Sequence, residues 1–332
     1  MSHRKDTDYL SISTRIHAME TRMLTRERMD RMIDAKDDGE ALKVLEECGY
    51  GELGRDRAQG LEAVLAAARS AVFQDIRAAV PDGSLVEVFQ LKYDYHNAKT
   101  LVKAQAQELD PARLLLSGGR YDPRQLLEGW QRDDLRMCTQ TFRDAAAQAR
   151  EVLAATLDPQ QADLVLDRAC YEEMGRLAKE SGSEFLQGYV RLSVDVANLR
   201  AAVRCARLDK SSEFLLQVLL PGGNVSRRSI AAVKGEGLRD LFQTGALAEA
   251  AALGAKLTQP DSGPLTAFEA MCDNAVTAYL SSARRVPFGE QTVIGYLYAR
   301  EAELTTVRTI MSGRMAGLDA DTIRSRLRAA YV

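Results

Sequence analysis

The sequence predicts an all-α fold, and three observations lead to that class. Apolar side chains recur at steps of three and four residues along most of the chain, which places them on one face of a helix. No stretch alternates between apolar and polar residues for long enough to predict a strand. All eight prolines fall at turns or first helical positions. None of them interrupts an apolar helical stripe, where a proline would cost about 3 kcal/mol.

Length and composition indicate a soluble globular protein of two or three domains. The chain has 332 residues, of which 46% are hydrophobic and 27% charged, and its net charge of −3 gives no general attraction for nucleic acid. No apolar run approaches the ~20 residues of a membrane span. The first ten residues, MSHRKDTDYL, contain no apolar signal core, so we expect a cytoplasmic protein without direct membrane insertion.

Capping residues mark the start of each element in the first part of the chain. The first helix carries its apolar stripe over 9–23, and the next begins at Thr25. A capping box opens the third at Asp37, and Gly49 ends it. Longer stripes then predict helices over 61–76 and 84–101, separated by a turn at 81–83. A short helix is predicted after Asp110-Pro111, closed by Ser117-Gly118-Gly119.

The second part of the chain continues the same pattern. Helix starts are predicted at Asp122, Asp158 and Ser226. Apolar periodicity predicts the helical bodies, which are 135–157, 164–170, 185–208, 214–220, 238–257, 268–280 and 296–311. The stretch SGRMAG, 312–317, is predicted to break the last long helix, and Asp319 caps a short final one.

Three long helices share a polar signature in which a hydrogen-bonding residue follows an acid by three positions and a cation follows it by five. The sets are Asp94, Asn97 and Lys99; Asp195, Asn198 and Arg200; and Glu303, Thr306 and Arg308. The acids lie 101 and 108 residues apart. Apolar residues that precede capping residues recur at similar intervals, at Leu24, Tyr121, Val225 and Leu318. We therefore predict three homologous helical domains, 1–120, 121–223 and 224–332.

Two roles remain open for these nine polar residues. An acid and an amide three positions apart share a helix face and can cap or cross-link neighbouring helices. The same residues could instead contact a partner protein. The structural role is favoured, because buried polar groups need partners for structural reasons alone.

The sequence contains no recognisable catalytic or metal-binding pattern. His3, His17 and His96 do not share metal-ligand spacing, and His96 and Asp94 are two positions apart, on different helix faces. The five cysteines are widely spaced without a CxxC pair and are expected to be small buried hydrophobic residues. No P-loop motif occurs, and no GxGxxG motif follows a predicted strand. We predict no catalytic residue, no cofactor and no metal, and hence a scaffold or coupling element.

Three stretches carry a resemblance to a known family. The C-terminal YLYAREAELTTVRTIMSGRMAGLDADTIRSRL resembles the signature of the C subunit of the bacterial and archaeal V-type (A-type) ATP synthase, the counterpart of the d subunit of eukaryotic V-ATPase. The central DYHNAKTLVKA and the N-terminal YLSISTRIHAMETRMLTRERMDRMID resemble the corresponding parts of that family. The three matches lie in order and span essentially the whole chain.

The resemblance implies an architecture and a role. Three similar helical domains would form a funnel with pseudo-threefold symmetry. The protein would be a non-catalytic central-stalk component, peripheral on the cytoplasmic face of the membrane. Its partners would be the D and F subunits of the central shaft and the membrane proteolipid ring. It would transmit torque between them for ion transport, with the coupled ion, H⁺ or Na⁺, left open.

Two other classes of function are compatible with the residues alone. One is a cytosolic helical-repeat adaptor, although the repeats of such proteins are usually ~33–47 residues long and the period here is near one hundred. The other is an α-helical enzyme without a recognised motif, which would need a deep pocket with several perturbed ionisable groups.

Overall fold

The computed structural model describes residues 5–51 and 57–332, with side chains from residue 60 onward in the second range. Regular structure in these residues is helical, without a β-strand, as predicted. Short 3-10 helices lie at Asp6–Tyr9 and Ser282–Arg285. The α-helices are α1 (Leu10–Glu20), α2 (Arg26–Asp34), α3 (Asp38–Glu47), α4 (Arg57–Ala79), α5 (Ser84–Ala106), α6 (Pro123–Gln131), α7 (Gln140–Thr156), α8 (Pro159–Ser181), α9 (Glu184–Arg207), α10 (Ser212–Val218), α11 (Arg227–Ala232), α12 (Glu236–Phe242), α13 (Ala248–Lys256), α14 (Thr266–Ser281), α15 (Glu290–Met315) and α16 (Ala320–Arg326).

Most of the predicted helix starts are confirmed. At each of them a side-chain oxygen accepts a hydrogen bond from a backbone N–H in the first turn, which satisfies a donor that has no partner inside the helix. The confirmed caps are Thr25, Asp37, Asp122, Asp158, Ser226 and Asp319.

The short helix predicted after Asp110 is wrong, since residues 112–114 form a turn. The Asp110 side chain does accept the N–H of Ala112 at 3.0 Å. However, the side chain of Asn97 holds both the N–H and the carbonyl of Leu116, at 2.8 and 2.9 Å. The chain is therefore held by side-chain contacts on both sides of this turn.

Three other boundaries differ from the prediction. The helix predicted over 135–157 begins only at Gln140, because Thr139 caps it. The helix predicted over 238–257 divides into α12 and α13, with Gly245 in the break. By contrast, α15 continues through Gly313 to Met315, so SGRMAG does not break the helix where expected. Gly317, at φ 70°, ends it.

The chain forms two compact units. Unit 1 comprises Met1–Gly83, Gln243–Leu253 and Ser262–Val332. In its core α2, α3, α4, α15 and α16 bury aliphatic side chains, among them Met32, Leu65, Val307 and Ile323. The segments that meet in this core come from the two ends of the chain. Burying such side chains supplies roughly 1.5–3 kcal/mol each.

Unit 2 comprises Ser84–Phe242 and Gly254–Asp261. Here α5 packs with α7 and α8 around an aromatic cluster. The ring of Phe142 meets the rings of Tyr95 and Tyr121 edge-on, at centroid distances of 5.6 and 5.2 Å. Trp130 is buried, and its Nε1 donates to Gln105 Oε1 at 3.1 Å. Trp130 therefore anchors α6 in the core of this unit.

The three-domain division was predicted from repetition in the sequence. The two units are defined by compactness and do not test it, so it stays a prediction. Among the helices of the described ranges, none combines the length and apolar character needed to cross a membrane.

All five cysteines are buried and free. Burial raises the pKa of the Cys138 thiol to about 11 and that of Cys170 further. Since the thiolate is the reactive form, we expect a disulfide-exchange reagent to modify these thiols slowly in the native protein. In denaturant, five equivalents should react at once. Absorbance of the released chromophore measures the rate in the native protein and the number of thiols that react in denaturant. Rapid reaction of one equivalent or more in the native protein would contradict the burial of all five thiols.

Candidate functional site

Asp94 and Asn97 of α5 bind the chain segment that leads into α6. Asp94 Oδ1 accepts the backbone N–H groups of Arg120 and Tyr121 at 2.9 and 3.4 Å. Asn97 pairs with both backbone groups of Leu116. Asp94 and Asn97 are both fully buried, so their polar atoms are satisfied by the chain itself.

Asp195 and Asn198 of α9 repeat this arrangement on the segment that leads into α11. Asp195 accepts the N–H groups of Asn224 at 3.1 Å and Val225 at 3.2 Å. Asn198 donates to the carbonyl of Leu220 at 2.9 Å and accepts its N–H at 2.7 Å. Tyr121 and Val225 each stand directly before the N-cap of the following helix. The acid therefore fixes the point at which that helix starts.

The third acid, Glu303 of α15, serves the equivalent position at the other end of the sequence. Its Oε2 accepts the N–H of Leu24 at 2.6 Å, and Leu24 precedes Thr25, the N-cap of α2. Its Oε1 accepts from the hydroxyl of Tyr50 at 2.6 Å and pairs with Arg300. Glu303 thus ties α15 to residues that lie more than 250 positions earlier.

The remaining members of the signature are Lys99, Arg308, Arg200 and Thr306. Lys99 donates to Asp167 of α8 at 2.6 Å, and Arg308 binds Glu62 of α4 through Nε and Nη2 at 2.6 and 2.8 Å. Arg200 is half-buried on α9. Thr306 is 9% exposed.

Two glycines make room for the aspartates. A Cβ on Gly119 would lie 2.2 Å from Asp94 Oδ1, and a Cβ on Gly223 would lie 2.2 Å from Asp195 Oδ1. Each is the second glycine of a pair whose first member has a positive φ, 102° at Gly118 and 94° at Gly222. The prediction that Gly118-Gly119 closes a short helix is therefore wrong, since no helix precedes this pair. In both pairs the second glycine is required by the carboxylate.

A buried ion network extends from Asp94 in unit 2. Arg120 donates to Asp94 Oδ2 at 2.6 Å and to Glu173 of α8 at 2.8 Å, and the hydroxyl of Tyr95 donates to Glu173 at 2.8 Å. Burial raises the pKa of Asp94 to about 6, against the opposing effect of Arg120. Burial and the adjacent Glu173 raise the pKa of Tyr95 as well. His96, on another face of α5, is exposed.

These groups are arranged to hold the fold. Each acid is surrounded by donors of its own chain, which matches the structural alternative for the signature. Among the residues that the structure describes, no cluster of His, Cys, Asp or Glu could hold a metal ion.

The model of the ATP synthase (C/AC39) subunit family matches residues 12–326. The chain belongs to this family. It is similar to the C subunit of the V-type sodium ATPase of Enterococcus hirae, with 20% identity over 98% of the chain and 99% of the relative. It is also similar to the C subunit of the A-type ATP synthase of Haloferax volcanii, with 27% identity over 74% of the chain and 75% of the relative. That of Halorubrum lacusprofundi shares 26% identity, over 73% of each chain.

Sequence reasoning missed the residues that complete these contacts in this C/AC39 family member. Arg120, Glu173 and Tyr50 carry no local signal, because their partners are distant in sequence. The two glycine pairs did carry a signal in the sequence. They follow Asp94 and Asp195 by 25 and 28 residues at their second glycine, an interval similar enough to indicate a shared role.

Gly119→Ala and Gly223→Ala should each destabilise the protein by about 1–3 kcal/mol, because the added methyl group displaces the buried carboxylate. The matched control is Gly175→Ala in α8, where a Cβ meets nothing within 4 Å. It should raise stability by about 0.5–1 kcal/mol. Denaturant unfolding followed by circular dichroism measures all three. Equal effects of the three substitutions would contradict the close-approach argument.

Asp94 should also make stability depend on pH. Its folded-state pKa of about 6 lies above the ordinary 3.8, so the folded state binds this proton more tightly than the unfolded state does. The stabilisation that results is fully present below pH 3.8 and is lost as the pH rises through 6. Asp94→Asn cannot bind this proton. Between pH 4 and 7 the free energy of unfolding of the wild-type protein should therefore fall by up to about 3 kcal/mol relative to that of the variant. Unfolding free energies across this range test the slope, and parallel curves for the two proteins would refute it.

Proposed function

We propose that this chain is a non-catalytic central-stalk component of a rotary V/A-type ATPase. It would form the socket that couples the rotating shaft, built from the D and F subunits, to the membrane proteolipid ring, on the cytoplasmic face of the membrane. The observation that carries the proposal is the family match over residues 12–326. The near full-length similarity to the C subunit of a V-type sodium ATPase supports it.

We also propose that three homologous segments build the protein around α5, α9 and α15. The acids of these helices serve equivalent positions, before the caps of α6, α11 and α2. In this proposal residues 24–50, at the start of the chain, complete the third segment.

A second feature supports the repeat independently of the acids. At the end of each of these three helices, α5, α9 and α15, a backbone N–H donates to the carbonyl five residues earlier. The donors are Leu109, Lys210 and Leu318, at 2.9–3.0 Å. The residue before each donor has a positive φ, namely Glu108, Asp209 and Gly317. These residues are 101 and 108 positions apart, which are also the intervals between the acids.

The contacts of Glu303 suit a body that transmits torque. A load on α15 would pass directly through Glu303 to Leu24 and Tyr50, without crossing the intervening chain. Charge-assisted hydrogen bonds of this kind are worth about 1.5–3 kcal/mol each. A coupler needs such stiffness more than it needs a polarised cleft. Since all three acids and both asparagines of the signature are used inside the fold, contacts with partners are expected on other, exposed surfaces.

The proposed role is tested by removing the chain from a purified rotary complex. Without it, the shaft and the proteolipid ring should separate at moderate salt, and ATP hydrolysis by the head should no longer drive ion transport. Adding the chain back should restore both. Ring and shaft that remain bound and fully coupled without this chain would contradict the proposal.

Stiffness is tested within the assembled complex. Glu303→Gln should lower the number of ions moved per ATP hydrolysed while hydrolysis continues, because the amide cannot replace the charge-assisted bonds to Leu24 and Tyr50. The control is Glu249→Gln, at an exposed position of α13. Ion flux and phosphate release are measured together. Full coupling in the Glu303 variant would show that this contact does not carry the load.

A further inference from the structure

Unit 1 contains a concave cavity of about 490 Å³ beside the C-terminal end of α15. Its polar lining consists of guanidinium and hydroxyl groups, from Arg308, Arg326, Arg328, Thr266, Thr309 and Ser312. The rest of the lining is small and apolar, and none of the described residues that line it is acidic. The cavity therefore presents hydrogen-bond donors and positive charge to whatever enters it.

Two of the arginines are held in place by other groups of the fold. Arg308 is paired with Glu62 through two nitrogens, at 2.6 and 2.8 Å. Arg328 donates through Nε to Asp273 at 2.7 Å and through Nη1 to the carbonyl of Arg326 at 2.9 Å. A guanidinium has five N–H donors in one plane, so these bonds set the orientation of each plane. Immobilised side chains lose less entropy when a ligand binds.

The third arginine supplies charge that the fold does not neutralise. Arg326 is exposed at the end of α16, and its side chain makes no ion pair within the described part of the chain. Glu62 and Asp273 balance the other two guanidinium groups, so the cavity keeps a net positive charge. The hydroxyls of Thr309 and Ser312, on the neighbouring face of α15, add neutral donors.

We propose that this cavity binds a small molecule carrying two phosphoryl groups. Planar guanidinium groups match the oxygens of a phosphoryl group and bind them through paired hydrogen bonds. The hydroxyls complete the donor set, and the volume lies in the range of small-molecule sites, about 300–1,000 Å³. The inference does not rest on the proposed role in a rotary complex, because it concerns the isolated chain.

The test is isothermal titration calorimetry of the full chain with inorganic pyrophosphate at constant ionic strength, set with chloride. One saturable site is expected. Arg326→Gln should weaken binding about tenfold, the scale of one charged hydrogen bond, and Ser312→Asp should abolish it by placing a carboxylate in the cavity. The control Arg22→Gln, at an exposed turn that does not line the cavity, should bind like the wild type. Both Arg326 and Ser312 are exposed, so circular dichroism should show folded variants.

A titration with ADP distinguishes the two sources of the diphosphate group, a nucleotide or a free diphosphate. Tighter binding of ADP than of pyrophosphate would assign the cavity to nucleotides, and equal binding would assign it to the diphosphate alone. The proposal is overturned if pyrophosphate does not bind. It is also overturned if the Arg326 and Ser312 variants bind as the wild type does, or if Arg22→Gln weakens binding as much as Arg326→Gln.

Discussion

The structure depends on a carboxylate buried in the middle of a long helix that accepts N–H bonds from a distant part of the chain. A buried charge is unfavourable unless donors surround it. At Asp94 and Asp195 these donors are backbone groups just before a capped helix. The acid therefore determines where the next helix starts. It also demands a glycine nearby, because any larger residue would occupy the space of the carboxylate.

Glu303 meets the same constraint with different chemistry. Its longer side chain reaches Leu24, and it is balanced by Arg300 and Tyr50 rather than by a network like that of Arg120 and Glu173. The ring of Tyr50 lies under the Arg300 guanidinium, at 5.4 Å. Burial and the adjacent Glu303 raise the pKa of Tyr50. The hydroxyl therefore stays protonated and donates to the carboxylate.

These contacts join segments that are distant in the sequence. Helices stacked only through aliphatic side chains can slide, whereas a carboxylate bound to particular N–H groups fixes their register. This is the property that the proposed torque-transmitting role requires. The arginine-lined cavity is a separate feature, since its charged groups face solvent rather than the packed core.

The sequence by itself determined the fold class, most helix starts and the polar signature, because each of these is set by residues within a few positions of one another. Thr25, Asp122 and Ser226 cap helices through bonds that span two or three residues. Tertiary structure decided what local patterns cannot encode. Residues 112–114 form a turn where the local pattern predicted a helix, and the Asn97 side chain holds Leu116 just after it. Close approach of Ile323 made Gly313 a packing residue rather than a helix end. The partner of Glu303 lies 279 residues away, and only the folded chain brings its N–H to the carboxylate.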